Sequence, residues 1–497
     1  MRALFKTSAA LAAIAMAVPA ISGGDDHANS EAPSAEEQAK QAAAMGEAMR
    51  AAELWIEGQR QFRKIPGLSV AVAQGDRTVW AKGFGHSDRA MSRAATPDTL
   101  YSICSISKLF TSVALMQQWE ADKVRLDAPV TDYLPWAQLQ PDDRESVPVT
   151  LRGLLTHSAG LPRESDHPYW TGPDFPFPTQ AQIRERISGQ SPLYPASTTF
   201  QYSNLGLTLV GETVEAVSGQ PFGDYVTAEI LEPLGLDDTR PGMPRDLYDG
   251  QLAVGWGALK PDGTRPAVKL FDPAGITPAA GFSSSVNDLA RFASWMFRLA
   301  KSGEEEVLRA STLREMQRVH YITPDWETTW GLGFAVRNQD GMTTVGHGGS
   351  CPGYRSSLMT VPEQEVGIAV AMNAMDNPSD FAMGIGGLMK SRMDAKDFDA
   401  PEGEDMSLAD YTGFYDSQPW STGFYLVPWA GGLTWLSPNA DEPGARMWRA
   451  KPLGGDRFQI ITDKGQEREI VTFERNASGE VVALVRHGNR SPRVRGL

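Results

Sequence analysis

Two strand-rich blocks lying far apart, with helical sequence between them, constrain this chain more than any other feature. The first block, LSVAVAQGDRTVWAKGFG at 68–85, holds two short β-rich runs joined by Gln-Gly-Asp-Arg, a hairpin signal. The second holds WGLGFAVRNQ, GMTTVGHGGS, YRSSLMTVP and VGIAVAMN between 330 and 373. Between them LRGLLTHSAGL, NLGLTLVGETVEAVSG and NDLARFASWMFRLA carry helical spacing with glycine stops. Strands at both ends of a helical region predict one antiparallel sheet assembled from the two ends of a domain, with a helical insertion, an α+β architecture.

At 497 residues the chain exceeds one typical domain, so more than one is expected. A helical pattern runs from about Glu37 to Arg63 and ends at Pro66-Gly67. The acidic stretch DAKDFDAPEGEDMS sets a boundary near Lys396, and the part beyond Leu408 alternates short apolar runs with turns, an all-β pattern. The opening MRALFKTSAALAAIAMAVPAISGG has two cations, an apolar run and small residues, the pattern of a secretory signal. The expected order is a cleaved signal at 1–22, a flexible leader at 23–38, a main domain at 39–396, a linker at 397–407 and a β domain at 408–497. The signal implies a periplasmic or secreted protein without a stable membrane span. A net charge of −15 argues against sequence-independent nucleic-acid binding, which needs a basic surface. Seven scattered histidines and no HExxH helix give no metal site.

In YSICSISKLF, residues 101–110, Ser105 and Lys108 are three apart and share one helix face. They are a nucleophile and its base, or a helix-start serine and a snorkelling lysine; spacing alone leaves both open. A lysine amine near 10.4 is no base at neutral pH unless burial disfavours its charged form. A second proton carrier is then needed for the leaving group. Tyr202 in TTFQYSNLGLTLVG suits that role if cationic neighbours lower its pKa, with Asn204 two residues on; the same residues also make a good capping turn.

Ser-x-x-Lys, then Tyr-x-Asn, then VGHGGSCPGYRS follow in the order found in the penicillin-recognising serine hydrolases, and the chain resembles their class C β-lactamase, D-aminopeptidase and esterase branch. IPGLSVAVAQGDRTVWAKGFG, LDAPVTDYLP, LLTHSAGLP and AAGFSSSVNDLARFA extend the resemblance over about 65–375. It implies a β-lactamase/transpeptidase-like domain with Ser105 acylated, Lys108 as base, Tyr202 as proton shuttle and Asn204 bonding the substrate amide. It places His347, Gly348 and Gly349 in the third box, and the backbone N–H groups of Ser105 and Ser350 in the oxyanion hole. His347 stands where many relatives have lysine. A largely neutral histidine weakens the clamp on a substrate carboxylate, unless Arg355 restores the charge.

The implied function is a cofactor-free serine hydrolase acting on small peptides, amides or esters, D-residues included, as D-aminopeptidases do. A carboxylesterase, a β-lactamase or D-Ala-D-Ala carboxypeptidase, and a non-catalytic binder of peptidoglycan fragments are the alternatives. Oligomeric state is not legible. Cys104 and Cys351 resemble the pair bridged in some class A enzymes, which implies a disulfide, two buried free thiols being the alternative. His157 reads as a structural histidine at a helix end. The C-terminal part resembles a lipocalin-like barrel that covers the site mouth or only docks.

Overall fold

The computed structural model describes residues 34–139, 147–339, 341–401, 407–445 and 447–494. The expected signal, most of the leader and the middle of the expected linker lie outside them. The first helix, α1 (Ala35–Phe62), starts two residues before the sequence pattern suggests. Ser34 and Glu37 cap it reciprocally: the Glu37 carboxylate accepts from the Ser34 N–H at 2.7 Å and the Ser34 hydroxyl from the Glu37 N–H at 3.2 Å. Among the described residues, 34–42 belong to one compact unit and those from Ala43 onward to another.

The second unit is built on an eight-stranded antiparallel sheet. Its strands are β1 (Gly67–Gln74), β2 (Arg77–Gly85), β3 (Tyr321–Ile322), β4 (Thr329–Trp330), β5 (Ala335–Gln339), β6 (Met342–Cys351), β7 (Tyr354–Val361) and β8 (Val366–Met372). The order β2-β1-β8-β7-β6-β5-β4-β3 joins the two distant sequence blocks through the β1–β8 pair, with Val70 opposite Val370. Both strands are buried on both faces, and strand alternation sorts their side chains by size. Ala71, Ala73, Ala369 and Ala371 join one core, while Leu68, Val70, Val72, Ile368 and Val370 join the other.

The alanine face receives the helical insertion, which includes α2 (Ser107–Glu120), α3 (Asn204–Ser218) and α4 (Val286–Ser302). α3 starts at Ser203, whose hydroxyl accepts from the Gly206 N–H at 2.9 Å. α3 and α4 both stop at left-handed glycines, Gly219 (φ 73°) and Gly303 (φ 69°). The larger-residue face is covered by α1 from Ala48 onward and by α5 (Pro378–Asp394).

The all-β part is a closed antiparallel barrel of eight strands between Gly413 and Val494. Its interior is filled by side chains that include Tyr411, Tyr415, Phe458 and Phe473. It docks on α1 and α5, the side of the sheet away from the helical insertion. The Trp55 indole donates to the Ala440 carbonyl at 2.8 Å, and the Glu47 carboxylate accepts from the Ala430 N–H at 2.9 Å. Gly58 leaves no room for a side chain, because a Cβ would fall 2.5 Å from the Pro438 Cβ. Of the two roles expected for the barrel, this placement supports docking. No helix among the described residues is long and apolar enough to cross a membrane.

Trp55 is fully buried, packs on Phe381 at 5.7 Å between ring centroids and meets Gly384. Trp55→Ala is expected to cost about 3–5 kcal/mol in denaturant unfolding. An unchanged midpoint would mean that the barrel is not held through this residue.

Candidate active site

The turn before α2 is a single 3-10 turn, Cys104–Ile106, so Ser105 sits just outside the α-helix that sequence spacing suggested. A 3-10 turn eclipses positions i and i+3, which still aims Lys108 at Ser105. Cys104 is held at φ +53°, an uncommon conformation for any residue but glycine. The Ser107 hydroxyl fixes the turn by donating to the Cys104 carbonyl at 2.5 Å while accepting from the Phe282 N–H at 3.0 Å. β6 lies against this turn: a Cβ on Gly349 would fall 2.2 Å from the Ile103 carbonyl oxygen. That close approach explains a glycine there and brings the strand carrying Ser350 beside Ser105.

Lys108 is fully buried, and its Nζ lies 3.2 Å from Ser105 Oγ, 2.7 Å from Asn204 Oδ1 and 2.6 Å from the Ala279 carbonyl oxygen. Burial pulls its pKa down to about 7, against a smaller upward pull from Glu164. A neutral amine has two N–H donors and one lone pair. Asn204 Oδ1 and the Ala279 carbonyl oxygen can only accept, so they take both hydrogens, and the lone pair is left facing Ser105. Ser105 itself is partly exposed, open to a substrate.

The Tyr202 ring has Lys108 Nζ at 4.9 Å and the Arg163 guanidinium at 5.0 Å from its centroid. Cationic neighbours were expected to lower its pKa. Burial outweighs them and pushes the phenol well above its usual value, so Tyr202 stays protonated and is a donor. His157, on the LLTHSAGLP turn, packs on the Tyr202 ring at 4.2 Å, and its Nδ1 accepts from the Ser203 N–H at 3.1 Å. It anchors the Tyr202–Asn204 turn, a structural part as expected.

His347 is buried beside Trp330 and Tyr202, at ring separations of 5.5 and 6.1 Å. Its Nδ1–H donates to the Gly348 carbonyl at 2.6 Å, leaving Nε2 buried and without a partner. Desolvation first, and Lys108 second, push its pKa down to about 3, so the ring is neutral at physiological pH. Gly348 and Ser350 are exposed on β6, and Arg355 lies opposite Ser350 on β7. Ser105, Lys108, Tyr202, Asn204, His347, Gly348, Gly349, Ser350 and Arg355 are thus brought to one place.

The family model described as Beta-lactamase matches residues 53–386. The chain belongs to the Beta-lactamase family. Penicillin-binding protein 4 of Amycolatopsis lactamdurans is 28% identical over 325 residues, 64% of this chain and 83% of that protein. Unguisins hydrolase ungD' of Aspergillus campestris is 27% identical over 62% of this chain, which spans only 58% of that relative's length. An octameric penicillin-binding protein homologue from Pyrococcus abyssi superposes with a TM-score of 0.62 at 26% identity, covering 89% of this chain and 99% of that one. That coverage extends the likeness past the family match into the barrel.

For a protein of this serine hydrolase family two features depart from expectation. The Cys104–Cys351 disulfide is not formed, and both residues are buried free thiols. Cys104 Sγ lies 3.6 Å from the Ser102 carbonyl oxygen and Cys351 Sγ 3.7 Å from that of Ala280, and the two thiols also neighbour each other. Burial pushes the Cys104 thiol up, which keeps it protonated and unreactive. The other departure is Glu164, which sequence reading missed. It lies beside the site, accepting from Asn204 Nδ2 at 2.7 Å, and an isolated glutamate in LPRESDHP carries no motif that would have found it.

Unfolded protein without reductant should show two thiols to a colorimetric reagent and folded protein none; zero in the unfolded state would mean a bridge. If Lys108 is the base, kcat/KM should rise with pH through about 7, because the active form is the deprotonated amine. A limb near 10, or none, contradicts that assignment.

Proposed function

We propose that this protein is an exported serine hydrolase that works through an acyl-enzyme on small peptide, amide or ester substrates lacking a carboxylate beside the scissile bond, D-residues included. The observation that carries the reading is the buried Lys108 amine, whose Nζ lies 3.2 Å from Ser105 Oγ with two acceptors placed to take its hydrogens. A non-catalytic binder has no use for such an arrangement. Export rests on the N-terminal sequence alone.

In this reading Lys108 Nζ takes the Ser105 hydroxyl proton as Oγ bonds to the substrate carbonyl carbon. The backbone N–H groups of Ser105 and Ser350 receive the resulting oxyanion. The Tyr202 phenol gives its proton to the departing amine or alkoxide and is reprotonated from Lys108, so the amine is neutral again when the ester forms. Water then attacks the acyl carbon, losing its proton to Lys108, and Ser105 leaves with a proton returned to its oxygen.

The neutral His347 favours this substrate class over penicillins and D-Ala-D-Ala ends, since the third box carries no fixed cation. Arg355 Nε is buried without a partner, which is a poor posture for a solvent-facing carboxylate clamp. A carboxylesterase is the second reading, favoured by the same neutral box. On a panel of a nitrophenyl ester, D-amino acid anilides and nitrocefin, the ester or an anilide should exceed nitrocefin in kcat/KM by about tenfold or more, the scale of one lost charge-assisted bond. Faster nitrocefin turnover would overturn the substrate class, and Lys108→Met should lower turnover of any substrate by about 10²–10⁴.

A further inference from the structure

The lone-pair argument at Lys108 depends on which end of the Asn204 amide faces it. Asn204 is buried, with Oδ1 2.7 Å from Lys108 Nζ and Nδ2 2.7 Å from Glu164 Oε1. A reversed amide would direct an N–H at the lysine lone pair and occupy it, leaving nothing to receive the Ser105 proton. The choice between the two orientations is therefore a choice between an armed and a blocked base.

We propose that Glu164 is a positioning residue that locks the Asn204 amide, and through it directs the Lys108 lone pair at Ser105. A carboxylate only accepts, so it bonds the NH₂ end of Asn204 and repels the carbonyl end. Glu164 is itself surrounded by donors: the Tyr169 hydroxyl donates to Oε2, and Arg163 Nε lies 3.2 Å from Oε1. Tyr169 is buried, and the Gln190 amide holds the Glu164 carbonyl at 3.2 Å. With donors on both oxygens the carboxylate is held as an acceptor, and Oε1 faces the Asn204 Nδ2 donor and Arg163 together. The inference rests on the hydrolase reading, because a lone-pair direction matters only if Ser105 is deprotonated.

The test is the rate at which a fluorophosphonate labels Ser105 in wild type, Glu164→Gln and Glu164→Asp, each checked for folding by its thermal midpoint. Glutamine matches glutamate in shape but presents a donor as readily as an acceptor; aspartate is shorter but accepts only. The lock predicts that Glu164→Gln loses about tenfold or more in rate and Glu164→Asp loses less. A packing role predicts the opposite order, since the isosteric variant would then be the milder one. Reversing the polarity of the pair is the second arm. When Glu164→Gln is combined with Asn204→Asp, the introduced amide donates to one oxygen of the introduced carboxylate while the other oxygen accepts from Lys108. That double variant should label faster than Asn204→Asp alone, in which two carboxylates face each other. Equal labelling of Glu164→Gln and wild type, the reversed order, or purely additive losses overturn the lock and leave the hydrolase reading standing. No labelling of wild type overturns the hydrolase reading and the lock together.

Discussion

An amine kept uncharged inside the protein is the constraint on which the rest of this structure depends. Moving a lysine from 10.5 to about 7 corresponds to about 5 kcal/mol of preference for the neutral form, comparable with the net stability of a small domain. Only a large, well-packed surrounding can impose that. α2 is buried from Ser107 to Met116, and the helical insertion closes over it through Phe282, Phe292 and α3. Lys108 therefore meets backbone and amide acceptors instead of water, and these set its hydrogens as well as its charge.

The same desolvation acts on every titratable group around the site, with a different result for each. It holds Tyr202 as a phenol and His347 as a neutral imidazole, so one base and one donor face Ser105 without a fixed cation in the third box. Glu164 lies one amide farther out and determines orientation more than charge. The barrel takes no part in this: it covers the opposite side of the sheet, where Trp55, Gly58 and α5 seat it. Chemistry and scaffolding occupy the two faces of β1 and β8, and the alanine-versus-valine alternation of those strands keeps the faces distinct.

Much of this was legible in the sequence because it is local. Glycine stops marked α3 and α4, short β-rich runs and a hairpin turn marked the strands, and the order of motifs shared with a known family joined Ser105, Lys108, Tyr202 and His347 into one site. What escaped depends on approach in three dimensions. The Ala279 carbonyl and Glu164 reach the site from segments with no motif, and their roles come from direction, which spacing does not encode. Cationic neighbours of Tyr202 were foreseeable, but not that burial would outweigh them. The two cysteines are neighbours in the fold, yet they are free thiols, each also in reach of a carbonyl oxygen.

The most direct test of the central claim observes the amine itself. With lysine labelled at ¹³Cε and ¹⁵Nζ, and the Lys108 signal assigned by its loss in Lys108→Met, an NMR titration reads its charge without any substrate. A midpoint near 7, well separated from the other lysines, is the predicted result. A Lys108 signal that titrates near 10.5 with the rest would mean a charged ammonium beside Ser105, and the account of a deprotonating base would be wrong.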